Sequence, residues 1–335
     1  MSYVALYRRW RPESFADLVG QEHISRTLSR AVASGQTSHA YLFTGPRGTG
    51  KTSTAKILAR ALNCAEGPTL TPCGLCESCR SISDGSSMDV FEIDAASNRG
   101  IDEIRDLRES VKFAPTAGRY KIYIIDEVHM LSKPAFNALL KTLEEPPAHV
   151  VFILATTDAD KLPATILSRV QQFFFRPIPA DIMARQLMTI AEKEGFAIEA
   201  DAARLIAERS RGGFRDGISM LDQLSALASS GKPLSASDVA QYLGLSATET
   251  LENLLELYQQ HDAPEILNLL GELEKTGTDP VVLSRQLLSL LRERLHQRPE
   301  LITLVKQLIE VDRHPHPDLK LLTIFIDGAG DVVHK

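Results

Sequence analysis

The sequence predicts an α/β domain with a mostly parallel sheet, followed by two α-helical domains. Three observations carry that expectation. Short apolar, β-branched runs alternate with helix-period segments between residues 40 and 178. A glycine-rich loop separates the first of those runs from the first helix after it. From Pro177 onward the strand signal fades while amphipathic spacing continues. At roughly 100–200 residues per domain, a 335-residue chain has room for two or three cores. The divisions fall at 1–178, 179–243 and 244–335.

In chain order, His39–Thr44 reads as a strand, Thr52–Asn63 as a helix and Asp89–Ile93 as a strand. Ile101, Ile104, Leu107 and Val111 recur at helical spacing over 101–112. Lys121–Ile125 is a buried-type strand. Ser132 is placed to cap a helix with Pro134 in its first turn, and Pro146-Pro147 stops that helix. Val150–Thr156 and Gln171–Phe175 complete the strands, and parallel strands need crossover helices between them. Beyond them, Ile182–Glu194, Ala200–Ser210 and Arg215–Ser229 read as amphipathic helices with glycine-containing breaks, and 246–298 and 301–310 as a further helical block.

Composition narrows the function classes. With 44% hydrophobic residues and a net charge of −6, the chain is not disordered and carries no all-over basic coat, although a local basic patch stays open. The N-terminus has no apolar run ahead of its arginines, so no secretory leader is read there. The longest apolar runs fall far short of the ~20 residues that span a bilayer. A cytoplasmic protein with no membrane partner is expected. In that reducing setting, clustered cysteines point to metal more than to disulfides.

Three clusters carry chemistry. Gly45-Pro-Arg-Gly-Thr-Gly-Lys51-Thr52 fits G-x-x-x-x-G-K-[ST]. Its glycines let backbone N–H groups curl round phosphate oxygens, Lys51 reaches the β/γ-phosphates, and the Thr52 hydroxyl ligates Mg²⁺. Gly45, Pro46, Arg47, Gly48, Thr49, Gly50 and Ser53 complete the nucleotide-binding set. Asp126 and Glu127 end a buried strand, where one acid holds the Mg²⁺ and the next polarises the attacking water. Together the two clusters specify ATP or GTP hydrolysis. Cys64, Cys73, Cys76 and Cys79, all the cysteines present, have the spacing C-x8-C-x2-C-x2-C. That pattern suits structural zinc in an insertion between the first helix and the second strand; an iron–sulfur cluster or free thiols are the alternatives.

Taken with Tyr7-Arg-Arg-Trp-Arg-Pro12, Phe15-Ala-Asp-Leu-Val-Gly-Gln21, Asp126-Glu-Val-His129, Leu143-Glu-Glu-Pro-Pro147 and Thr165-Ile-Leu-Ser168-Arg169, these clusters resemble the gamma/tau ATPase subunits of bacterial DNA polymerase III clamp loaders. Those are AAA+ proteins. The resemblance implies a P-loop AAA+ domain with the zinc module, a small helical lid and a helical collar, with ATP, Mg²⁺ and Zn²⁺ as ligands. It also implies an ATP-hydrolysing motor that loads a sliding clamp on primed DNA. Its partners would be delta and delta-prime subunits, further copies of the chain, the clamp and the primer–template junction.

Carried over residue by residue, the resemblance makes Lys51, Asp126 and Glu127 the hydrolytic centre. Thr157 falls at the sensor 1 position, Arg169 at the arginine finger and Arg215 at the sensor 2 arginine of the lid. Tyr7, Pro12 and Val19 would cover the adenine. The family usually has Cys where Val170 stands, which changes the packing beside the finger. Asn98, Arg99 and Arg105 match the DNA-facing region; pairing with Asp102 and Glu109 on their own helix is the plainer reading of those arginines. Whether the chain is a short gamma-like form or part of a tau-like one stays open. Two alternatives are a branch-migration AAA+ motor and a non-hydrolysing structural clamp-loader subunit.

Overall fold

The computed structural model describes residues 3–98, 100–228, 232–296 and 298–330. The chain divides into two compact units, 1–234 and 235–335.

In the first unit, α1 (Leu6–Arg9) and α2 (Glu22–Ala33) precede β1 (Ala40–Thr44) and α3 (Lys51–Asn63). Then follow α4 (Glu77–Asp84), β2 (Val90–Asp94), α5 (Ile101–Ser110) and β3 (Lys121–Asp126). Next come α6 (Lys133–Glu144), β4 (Val150–Thr156), α7 (Ala164–Leu167) and β5 (Gln171–Phe174). The five strands form one parallel sheet in the order β2-β3-β4-β1-β5. Because side chains alternate across a strand, the sheet feeds two cores. Tyr41, Phe43, Ile122, Ile124, Val151 and Ile153 face a core closed by α2 and α3. Leu42, Tyr123, Ile125, Phe152 and Leu154 face the opposite core, closed by α5 and α6. Burial on both faces is why these strands read as continuous apolar runs. The strand order puts β1 inside the sheet, so the chain leaves it in one direction for β2 and returns past it to reach β5. Ligands of open α/β sheets bind at the carboxyl ends beside such a switch point.

Helices α8 (Ala180–Lys193), α9 (Ala200–Arg209) and α10 (Phe214–Ser225) form a small bundle around Met183, Leu187, Ile206 and Leu221. The N-terminal segment is tied to it. The Leu6 N–H donates to Asp222 Oδ2 at 3.0 Å, and Trp10 Nε1 donates to Glu194 Oε1 at 2.8 Å.

The second unit is α-helical: α11 (Ala236–Tyr242), α12 (Thr248–Gln260), α13 (Ala263–Lys275), α14 (Pro280–Arg294), α15 (Ile302–Leu308) and α16 (Pro317–Gly330). Its core contains Leu254, Leu287, Leu304 and Phe325. The block expected over 246–298 is three helices. The first break falls at His261, in the left-handed region at φ 57°, and the second at Gly277, at φ 79°. Helices α2, α4, α11 and α16, and the one-turn helices α1 and α7, were not foreseen from the sequence.

Candidate nucleotide-binding and hydrolytic site

The loop from Gly45 to Gly50 joins the end of β1 to α3, and its three glycines, Gly45, Gly48 and Gly50, all stand at positive φ, where L side chains are strained. A Cβ on Gly45, at φ +143°, would sit 2.3 Å from the Phe175 carbonyl oxygen, and Gly50 caps α3 at φ 100°. The first turn of α3 therefore points its free N–H groups into the loop, an arrangement that favours anions. Lys51 is 6% exposed, and its Nζ donates to the carbonyls of Gly45 and Pro46, both at 2.8 Å. Burial pushes the Lys51 pKa down, against the opposing pull of Glu127 and Asp126. A buried ammonium satisfied by its own loop carbonyls is a cation stored beside a place for phosphate oxygens.

β3 delivers the acids. Thr52 Oγ1 donates to Asp126 Oδ2 at 2.7 Å, so the two residues expected to share Mg²⁺ already touch. Their oxygen donors suit that hard cation. Glu127 stands in the left-handed region at φ 46°, with its backbone N–H on Asp126 Oδ1. Its Oε2 accepts from Thr157 Oγ1 at 2.9 Å and from the Thr157 N–H at 3.2 Å, immediately after β4. His129 Nδ1 lies 3.3 Å from the same oxygen and 2.8 Å from Thr156 Oγ1.

These groups open on a cavity of about 760 Å³ lined by Tyr7, Pro12, Val19, Arg47 to Ser53, Asp126, Glu127 and Arg215. Arg215 enters from the first turn of α10. Its backbone N–H donates to the Gly48 carbonyl at 3.4 Å, and its guanidinium lies 4.8 Å from the Tyr7 ring centroid. Thus thirteen expected residues line one space. Gly45 and Pro46 act behind it through their carbonyls, and Thr157 through Glu127. Sequence reasoning missed Arg11, whose Nε donates to Ser53 Oγ at 3.2 Å beside the phosphate loop, and also the role of His129. Both lie in runs singled out from the sequence, but only the tertiary contacts give them partners.

Arg169 stands apart, just past α7, in an open cleft with Ser38, His39 and Glu144. Arg105 is exposed on α5, outside the cavity, and Arg99 lies outside the described residues.

Between α3 and β2, the sulfurs of Cys64, Cys73, Cys76 and Cys79 all lie within 4.8 Å of one another. A tetrahedral zinc thiolate with Zn–S bonds near 2.3 Å needs sulfurs about 3.8 Å apart, so the cluster fits the ion with little movement. Backbone N–H groups of Cys73, Cys76 and Cys79 point at the preceding sulfurs over 3.3–3.5 Å. Such donors stabilise thiolates.

A parallel sheet with the phosphate loop after β1, paired acids after β3 and a helical bundle delivering an arginine defines an AAA+ nucleotide-binding fold. The solved structure of the Holliday junction branch migration motor RuvB of Thermotoga maritima agrees at the level of fold. It has a TM-score of 0.53 and 21% identity, over 78% of this chain and 85% of that one.

Finer resolution comes from family models. A DNA polymerase III delta-subunit model matches residues 20–179, and a DNA polymerase III clamp-loader ATPase lid domain matches 182–231. Domain III of the gamma and tau subunits matches 234–299. DNA polymerase III subunit tau of Bacillus subtilis is 49% identical over 295 residues, and that of Escherichia coli 46% over 291. The chain belongs to the gamma/tau family of DNA polymerase III clamp-loader subunits. It spans about half the length of these curated relatives, 52% and 45% respectively. Among the described residues, no helix is long and apolar enough to cross a membrane.

Proposed function

We propose that this chain is an ATP-hydrolysing motor subunit of a clamp loader, acting in the cytoplasm with delta and delta-prime partners and further copies of itself. Its work is to load a sliding clamp on primed DNA. The observation that carries the reading is the intact set of Lys51, Thr52, Asp126 and Glu127 converging on one cavity beneath Arg215. A structural subunit has no need to keep a buried lysine beside two carboxylates.

ATP is the substrate. Lys51 exchanges the Gly45 and Pro46 carbonyls for β/γ-phosphate oxygens, at little cost because it is already desolvated. Tyr7, Pro12 and Val19 cover the adenine. Thr52 and Asp126 hold Mg²⁺, which when bound neutralises charge on the phosphates. Glu127 accepts the proton of the attacking water while Thr157 orients its carboxylate. Arg215 adds positive charge when the lid closes, and Arg169 supplies it to the site of a neighbouring copy. Hydrolysis then reports both lid closure and subunit arrangement. The four cysteines hold a structural Zn²⁺ remote from this chemistry. The division into ATPase domain (1–178), lid (179–243) and collar (244–335) gives each step its own element.

The test is ATP turnover of reconstituted complexes with and without clamp and primed DNA. Stimulation by both together, abolished by Lys51→Ala, is expected. Equal turnover in the variant sinks the motor reading. Stimulation by branched DNA without a clamp would favour a branch-migration motor instead.

A further inference from the structure

We propose that Glu144 is the positioning residue of Arg169, fixing the guanidinium so that it meets a neighbouring nucleotide in one orientation. The proposal rests on the reading of Arg169 as a residue that acts on an adjacent subunit, and it deepens that reading.

Glu144 is the last residue of α6, and Pro146-Pro147 prevent the helix from continuing. Its Oε1 lies 2.7 Å from Arg169 Nη2. Arg169 Nη1 donates to the Thr165 carbonyl at 2.6 Å and to Ser168 Oγ at 3.0 Å. The two hydrogen bonds from the turn of α7 and the ion pair from the end of α6 reach the guanidinium from two sides, so together they restrict its plane as well as its position. On the far side of the arginine, Val170 packs against the core that α6 helps to close.

The inventory of donors gives the arrangement its meaning. A guanidinium has five N–H groups. Two are used in hydrogen bonds here, both on Nη1, and Nη2 meets Glu144 as an ion pair, so the edge formed by Nε–H and Nη2–H makes no hydrogen bond among the described residues. Two donors held in a fixed fork are what a pair of phosphate oxygens accepts. The Arg169 side chain is 32% exposed and that of Glu144 47% exposed. An isolated pair at such a surface adds little to stability, because water screens it and ordering two side chains costs entropy. Holding the fold together is a poor use for it; holding the fork in register is a good one, since that ordering is then complete before the neighbour arrives.

The experiment uses complexes assembled with partner subunits, clamp and primed DNA, containing Glu144→Ala, Glu144→Gln, Arg169→Ala or the double variant. Glu144→Ala is expected to lower kcat about tenfold with the KM for ATP nearly unchanged, the scale expected when a catalytic group loses its alignment. Glu144→Gln, whose amide oxygen still accepts, should recover most of that loss. In the Arg169→Ala background, Glu144→Ala should add nothing, because there is no guanidinium left to orient. Turnover of Glu144→Ala equal to or above wild type overturns the proposal. So does a further loss of the same size on top of Arg169→Ala, which would mark a merely structural role. If Arg169→Ala itself leaves turnover intact, the reading of the finger fails and takes this inference with it. If only Arg169→Ala lowers turnover, the finger stands and Glu144 does not position it. Thermal melting of the isolated chain checks folding. Should Glu144→Ala melt early, Glu144→Gln against Glu144→Asp carries the same comparison.

Discussion

Thr157 holds Glu127 by two bonds to a single carboxylate oxygen, one from its hydroxyl at 2.9 Å and one from its backbone N–H at 3.2 Å. Glu127, the general base of the proposed mechanism, follows β3 directly and is thus registered against the end of β4, the adjacent strand in the sheet. Of the two bonds, only the hydroxyl's is removable by substitution. Thr157→Ala should leave ATP affinity within about twofold and lower kcat by about tenfold, less than the roughly hundredfold or more that a general base contributes, because the base stays and only its orientation is loosened. Thr157→Ser should stay near wild type. Equilibrium nucleotide binding beside steady-state turnover separates the two effects, and equal loss in both variants would count against the orienting role.

Asp89 is a stability anchor that has no part in the site. It is 4% exposed, and its carboxylate accepts N–H bonds from Thr116 at 2.6 Å, Ala117 at 2.8 Å and Gly118 at 2.7 Å. Burial pushes its pKa up, but those donors, with Lys121 beyond them, hold it below the usual carboxylate range. A carboxyl depressed in the folded state adds stability that is present above its unfolded pKa, about 3.9, and is lost as pH falls through the lower folded value. Asp89→Asn should cost about 2–3 kcal/mol at neutral pH, since its amide turns a donor toward three donors. The difference from wild type should shrink below about pH 4. Denaturant melts at pH 7 and pH 3.5 measure both; a pH-independent difference would contradict the electrostatic origin.

The cysteine cluster gives a prediction by metal analysis. The purified chain should carry close to one zinc ion, released by thiol modification, and Cys76→Ser should lose it. Because Cys64 ends α3 and Cys79 lies in α4, stripping the ion should lower the melting temperature by several degrees. The folded sheet should survive. Iron in the preparation, or full stability without metal, would refute the zinc assignment.

What was legible in the sequence was what local chemistry dictates. The phosphate loop, its helix and the acids after β3 follow from residue type and spacing, and α6 announces itself through Ser132, whose hydroxyl accepts from the Ala135 N–H. Helix α2 gave no such signal, because Gln21 caps it without a side-chain bond and instead holds the Arg176 backbone. Helix α4 is capped by the sulfur of Cys76, a residue read as a metal ligand. Helix α16 opens on Pro317 and showed only as a short apolar run. Arg11, His129 and Glu144 stayed silent for another reason. Their partners are Ser53, Thr156 and Arg169, distant in the chain, and only the fold brings them together.

Arg215 and Tyr7 connect the lid bundle to the N-terminal segment across the cavity mouth. The guanidinium lies 4.8 Å from the ring centroid, within reach of a cation–π contact, and the Arg215 N–H rests on the Gly48 carbonyl of the phosphate loop. Leu6 and Trp10, on either side of Tyr7, are bonded to Asp222 and Glu194 of the same bundle. The N-terminal segment is thus bonded to the bundle that carries Arg215 and, through Arg11 and Ser53, to the helix after the phosphate loop. Arg215→Ala should weaken ATP binding by about tenfold and lower turnover further, because the lost charge acts on both the ground state and the transition state. Tyr7→Phe keeps the ring face and should bind ATP like wild type. Tyr7→Ala frees the arginine from its platform and should approach the effect of Arg215→Ala on affinity, while leaving Lys51-dependent turnover measurable at saturating ATP. Fluorescent nucleotide titration of the three variants, paired with turnover, decides it. If Tyr7→Phe fell as far as Tyr7→Ala, the hydroxyl and not the ring would be the contact that matters.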